Sequence, residues 1–148
     1  MVIPMIKALL ISLLLFATHT QAQMSERFGE YELHYSFVNT TFLSPEIAAQ
    51  YQITRGKRHG ILMLSLRKHR EGVDGTQPSA MNVSGTTSDL IRKDELTFKE
   101  IREDGAVYYI APFKFINEEF RHFYIDFQAA GNDRTYSHHL EHQMYIHE

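Results

Sequence analysis

The chain of 148 residues has no cysteine and no tryptophan, only four prolines, and a formal charge of −3. The missing cysteine excludes a disulfide framework, a thiol nucleophile, thiolate-bound zinc and an acylated N-terminal cysteine. With 15 Lys and Arg against 18 Asp and Glu and no long basic run, the charge pattern argues against a nucleic-acid partner. The nearest approach to a basic run, Arg55-Gly56-Lys57-Arg58, reads first as a solvated turn. Hydrophobic residues at 43% and charged residues at 22% exclude wholesale disorder.

Aromatics are plentiful instead: ten Phe and eight Tyr favour strands over helices. The longest apolar stretch is at the N-terminus. Residues 1–7 carry one positive charge, residues 8–17 are apolar, and Thr20-Gln21-Ala22 supplies small residues where a signal peptidase reads. Ten apolar residues suit a signal peptide and are short for a membrane span. The pattern predicts a signal peptide over 1–22, cleaved after Ala22, and a single exported domain over 23–148 with no stable membrane span. The competing reading is an uncleaved anchor starting at Val2, with Lys7 snorkelling.

Along the exported part, residues 28–38 alternate with period two. Tyr31, Leu33, Tyr35 and Phe37 share one face and Glu30, Glu32, His34 and Ser36 the other, which predicts a half-buried strand. Ser44-Pro45-Glu46 is a helix start with a capping hydroxyl, a proline at the first position and an acid in the first turn. Ile47, Ala48 and Tyr51 give that short helix an apolar face, and residues 55–60 end the excursion. Residues 61–66 form a near-continuous apolar run suited to a strand covered on both faces. Residues 69–80 read as a loop and 81–85 as a short strand. Residues 95–102 and 106–116 flank Glu103-Asp104-Gly105, a hairpin signal. In residues 120–128, Arg121, Phe123, Ile125 and Phe127 oppose His122, Tyr124 and Asp126; the last strand is expected at 140–146. Pro112 falls within a strand and cannot donate to a ladder, so it predicts an edge or a bulge. Six to seven strands with one short helix predict an all-β, immunoglobulin-like antiparallel sandwich; a partly open barrel is the alternative.

Several stretches resemble a proteobacterial family of exported proteins known as domain of unknown function 4426. They are Phe28-Gly-Glu-Tyr-Glu-Leu-His-Tyr35, Asn39-Thr-Thr-Phe-Leu43 with Pro45, Glu46 and Ala48, Tyr51-Gln-Ile-Thr-Arg55, Leu96-Thr-Phe98, Glu100-Ile101, Ala106-Val-Tyr-Tyr-Ile110 and Asn117-Glu-Glu119. The resemblance implies a periplasmic protein of gammaproteobacterial type with no assigned activity and no catalytic residues. The histidine-dense C-terminus from His138 onward lies outside that pattern.

His138-His139-Leu140-Glu141-His142 is the densest polar feature, with His147 close behind. Read literally, it contains the H-x-x-E-H spacing of inverted zinc peptidases. That chemistry needs a helix, where residues four apart face one metal. In a strand, His138 and His142 share a face ~13 Å apart and no single ion reaches both. Ser65-x-x-Lys68 has the spacing of penicillin-recognising enzymes but lies in a strand, whereas that motif opens a helix. His122, Tyr124 and Asp126 share a strand face at ~6–7 Å intervals, too far apart for acid–base work without partners from elsewhere. Asn39-Thr-Thr41 and Asn82-Val-Ser84 satisfy the glycosylation sequon and, in a bacterial protein, read as unmodified.

Together these features predict a non-catalytic binding module of the cell envelope that uses no cofactor and meets another envelope protein. The candidate binding residues are Arg55, Lys57 and Arg58 on the long 39–58 excursion, with Tyr108 or Tyr109 as an apolar anchor on one of two opposite strand faces. The alternative is a Zn- or Cu-binding or buffering protein using His138, His139, His142 and His147, which requires strands to bring imidazoles together. A third reading is a hydrolase whose acid and base converge from distant strands in a concave pocket.

Overall fold

The computed structural model describes residues 24–147; the expected signal peptide at 1–22 lies outside them. Among the described residues, ten antiparallel strands form two sheets. The first sheet contains β1 (Met24–Phe28), β2 (Tyr31–Asn39), β3 (His59–His69), β8 (Ala106–Lys114) and β7 (Lys99–Glu103), in that order, with β4 (Thr76–Ser79) paired to the far half of β3. The second runs β10 (Thr135–Met144), β9 (Glu119–Ala129), β5 (Met81–Ser88), β6 (Lys93–Leu96). The sheets pack face to face as a sandwich and do not close into a barrel.

Period-two patterning places the core between them. Leu33, Leu62, Leu64 and Leu66 of the first sheet meet Phe123, Ile125 and Phe127 of the second, all essentially buried. Each such side chain contributes about 1.5–3 kcal/mol on leaving water. Phe37 and Phe113 lie 4.9 and 5.0 Å from Phe123, and Phe28 meets Phe127 edge-on at 5.1 Å. The hairpin expected at Glu103-Asp104-Gly105 forms: Asp104 and Gly105 both have positive φ (49° and 78°), the handedness that matches strand twist. Pro112 lies beyond the end of β7, whose last partner on β8 is Ile110, so β8 is locally an edge there.

Other expectations are corrected. β1, β4 and the division of one expected strand raise the strand count: Phe28 ends β1 rather than opening the expected 28–38 strand, β4 falls inside the expected 69–80 loop, and the expected 95–102 strand is split at Thr97-Phe98, where the chain crosses between sheets. The last strand starts at Thr135, five residues early, because β9 offers partners from Gln128 onward. The short helix α1 (Pro45–Gln50) is capped by Ser44, whose Oγ accepts the Ile47 N–H at 3.2 Å. It lies against the outer face of the first sheet: Tyr51 O accepts from Lys99 Nζ (2.8 Å) and its hydroxyl donates to Glu103 (2.7 Å), both on β7. Ala48 is buried there while Ile47 faces solvent, so the expected apolar face is only partly used.

Candidate functional site

One end of the sandwich is built from the end of β2, the start of β3, the end of β8, the start of β9 and the end of β10. Buried Thr40 ties the excursion down, its Oγ1 accepting the Gly56 N–H at 3.0 Å and donating to Gly56 O at 3.2 Å. Asn39 Nδ2 donates to Tyr145 O at 2.6 Å and links the two sheets. The Phe115 N–H donates to Arg58 O at 3.0 Å. Arg55, Lys57 and Arg58 are exposed on this frame, and among the described residues none of them is in a salt bridge. Arg55 donates at 3.3 Å to the backbone oxygen of Thr41, the residue before Phe42.

Phe42 is 64% exposed and stands at the rim of a cleft of about 300 Å³ lined by Phe37, His142, Met144, Tyr145 and His147. The His142 ring stacks on Phe37 at 4.2 Å, nearly parallel, and His147 lies 5.1 Å from the Phe42 ring. Burial pushes the His142 pKa down, favouring the neutral ring. His138, on the same inner face of β10, sits 5.4 Å from Phe28 and 5.8 Å from Tyr35. Its Nε2 is buried and has no hydrogen-bond partner among the described residues, and burial lowers its pKa against an opposing pull from Glu26.

The outer face of the second sheet carries different chemistry. Register pairs His122 with Glu141 and Tyr124 with His139. His122 Nδ1 lies 3.0 Å from His139 Nε2 and 3.2 Å from Glu141 Oε1, and the last two atoms are 4.0 Å apart. The His139 ring stacks on Tyr124 at 4.5 Å with 5° between planes. One step along, Ser137 donates to Asp126. A second mixed cluster lies on the first sheet: Glu32 accepts from Ser25 (2.8 Å) and meets His69 (2.9 Å) and His34 (3.3 Å). The Ser25 and His69 hydrogen bonds hold the Glu32 carboxyl below its usual range.

The sequence matches the profile of a domain of unknown function, DUF4426, over residues 25–147. The chain belongs to the DUF4426 family. A crystal structure of a DUF4426 family protein from Pseudomonas aeruginosa superposes with a TM-score of 0.73 at 26% identity, covering 88% of this chain and 100% of that one. FetP of uropathogenic Escherichia coli strain F11, as isolated after recombinant expression in the periplasm, superposes with a TM-score of 0.60 at 14% identity over 86% and 96% of the chains. A copper-bound glutamate-to-glutamine variant of FetP gives 0.58 at 14% over 84% and 96%. The FetP likeness is one of fold. No curated protein matches the chain. Among the described residues, no helix is long and apolar enough to cross a membrane.

In this DUF4426 domain the residues nominated from sequence separate. Arg55, Lys57 and Arg58 stand together, but Tyr109 does not join them: it is 4% exposed, its hydroxyl accepts the Met81 N–H and donates to Glu100, each at 2.9 Å, and burial pushes its pKa up. Tyr108 is half-buried on the outer face of the first sheet, opposite Ile101. The four C-terminal histidines are not one site, because β10 alternates: His138 and His142 point inward, His139 outward, and His147 lies at the cleft. The peptidase spacing fails for the same reason, since its residues lie on a strand. Ser65 likewise lies mid-strand, paired with His34. The convergent outer set, His122 with His139 and Glu141, draws all three members from two stretches singled out separately in the sequence; the β9–β10 register brings them together.

Proposed function

We propose that the chain is a non-catalytic binding module of the bacterial periplasm whose partner is an envelope protein presenting an acidic surface with an apolar anchor side chain. The observation that carries this reading is that three exposed cations, Arg55, Lys57 and Arg58, unbridged among the described residues, lie at the same end of the sandwich as an open aromatic cleft. A cleft of about 300 Å³ is at the small end for ligand sites and suits one large side chain rather than a whole cofactor. Cations at the same end of the sandwich steer an acidic surface toward it and penalise a basic one. Exposed Ile116 and Tyr145 extend the apolar area at the same end. The N-terminal signal pattern and a fold shared with FetP, which was expressed in the periplasm, support the location.

The test is photocrosslinking in the periplasm from a reactive residue at position 42, with position 71 as a control away from this end. The reading expects a discrete adduct with an acidic envelope protein from position 42. That adduct should weaken with added salt and vanish in the triple charge reversal Arg55→Glu, Lys57→Glu, Arg58→Glu. Equal adducts from both positions, or one indifferent to the reversal, would refute it.

A further inference from the structure

We infer that the outer face of the β9–β10 ribbon holds a copper(II) site formed by His122 Nδ1, His139 Nε2 and Glu141 Oε1. This goes beyond the docking role proposed above and uses a different surface, so either can fail without the other.

Glu141 Oε1 only accepts when ionised, and each neutral imidazole has one donor nitrogen and one acceptor nitrogen. If His122 Nδ1 carries the proton, one hydrogen is shared between the His139 nitrogen at 3.0 Å and the carboxylate oxygen at 3.2 Å. If His139 Nε2 carries it, the His122 lone pair faces the Glu141 anion. Either way three electron-rich atoms converge on fewer protons than they can bind. A cation at their centre satisfies all three at once.

The separations select among cations. Two nitrogens and one carboxylate suit late first-row metals, which imidazole binds readily and which follow an affinity order peaking at copper. Bonds of ~2.0 Å place adjacent donors ~2.8 Å apart and opposite donors ~4.0 Å apart in a square plane, against ~3.3 Å for every pair in a tetrahedron. Observed separations of 3.0, 3.2 and 4.0 Å match three corners of a square, with His122 in the middle and His139 opposite Glu141. The fourth corner is left for water or an incoming ligand.

The site is also positioned. His122 belongs to β9, an interior strand held by β5 and β10, and its side chain is 14% exposed. The Tyr124 ring stacked on His139 fixes the plane of the second imidazole. His139 and Glu141 remain 44% and 58% exposed, so the ion has an entry path.

The experiment is titration of the purified exported protein with copper(II) chloride, followed by electron paramagnetic resonance. One equivalent should bind per chain, with hyperfine structure from two imidazole nitrogens. His122→Ala and His139→Ala should each weaken binding by at least about tenfold and Glu141→Gln by less, whereas His142→Phe on the inner face should leave the titration unchanged. Binding that survives the His122→Ala, His139→Ala double variant would sink the proposal, as would a wild-type spectrum with no imidazole nitrogen. The spectrum of the unmodified protein decides the question even if a variant folds poorly.

Discussion

Replacing Glu119 with Gln removes one charge and almost no volume from the most deeply buried ion pair of the described residues. Arg121 projects from the inner face of β9 into the core at 5% exposure. Its Nε donates to Thr87 Oγ1 at 3.1 Å and its Nη1 to both Glu119 oxygens at 3.2 and 3.3 Å. The two side chains are 6% and 10% exposed, while the remaining acid, Asp94, is 3.9 Å away and 72% exposed. Breaking a buried pair by removing one partner costs about 3–5 kcal/mol, because the remaining charge stays desolvated. A solvent-exposed acid such as Asp94 returns at most about 1 kcal/mol. The Thr87 contact survives, so Glu119→Gln should destabilise by about 2–3 kcal/mol. At a urea dependence of about 1.5 kcal/mol per molar, the unfolding midpoint falls by roughly 1.3–2 M. A double-mutant cycle with Arg121→Met gives the control: the double variant should be less destabilised than the sum of its parts by about 2 kcal/mol. A loss below about 0.5 kcal/mol for Glu119→Gln, or a coupling near zero, would mean that water already solvates Arg121 and that the reasoning is wrong.

Two further substitutions probe the packing. In Gly85→Ala the new Cβ would lie 2.6 Å from the Tyr124 backbone oxygen and 2.9 Å from Ile125 Cδ1; a loss of about 1–3 kcal/mol in thermal or urea unfolding is expected, and an unchanged midpoint would refute the contact. His138→Phe removes the unpartnered Nε2 and should stabilise by about 1 kcal/mol near neutral pH. Because burial holds the folded pKa of His138 below the unfolded value of about 6.5, the unfolded chain takes the proton first on acidification and the wild type loses stability there. The variant's advantage in urea unfolding should therefore widen from pH 7.5 to 5.5; a constant or narrowing gap would refute the assignment.

Local signals were the legible part of this fold. Residues 120–128 alternate strictly, and the structure buries Arg121, Phe123, Ile125 and Phe127 while exposing Tyr124 and Asp126. The Ser44 cap and the Asp104-Gly105 turn also form where their residue types place them. Illegible features depend on partners far along the chain. Four- and five-residue strands such as β6 and β7 are too short to show a period, and nothing local reveals that the chain changes sheets between them. Ile47 falls on the apolar face of the helix pattern, yet it faces solvent while Ala48 is buried and Tyr51, just past α1, bonds β7. At the candidate metal site the donor types were visible, but their meeting depends on pairing His122 with Glu141, a register that two polar strand faces do not specify.

The inner faces specify it. The ladder that sets Glu141 opposite His122 also sets Leu140 opposite Phe123, and Leu140 and Met144 are 4% and 1% exposed. Sliding β10 by one residue against β9 would turn Leu140 and Met144 to solvent and His139 and Glu141 into the core. Exposing two such apolar side chains costs roughly 3–6 kcal/mol, before any penalty for burying the carboxylate. Core burial therefore holds the outer donors in register even though β10 is an edge strand with only one neighbour. The three donor atoms need no scaffold of their own: strand alternation gives the same ten residues of β10 an apolar face that fixes position and a polar face free to carry chemistry.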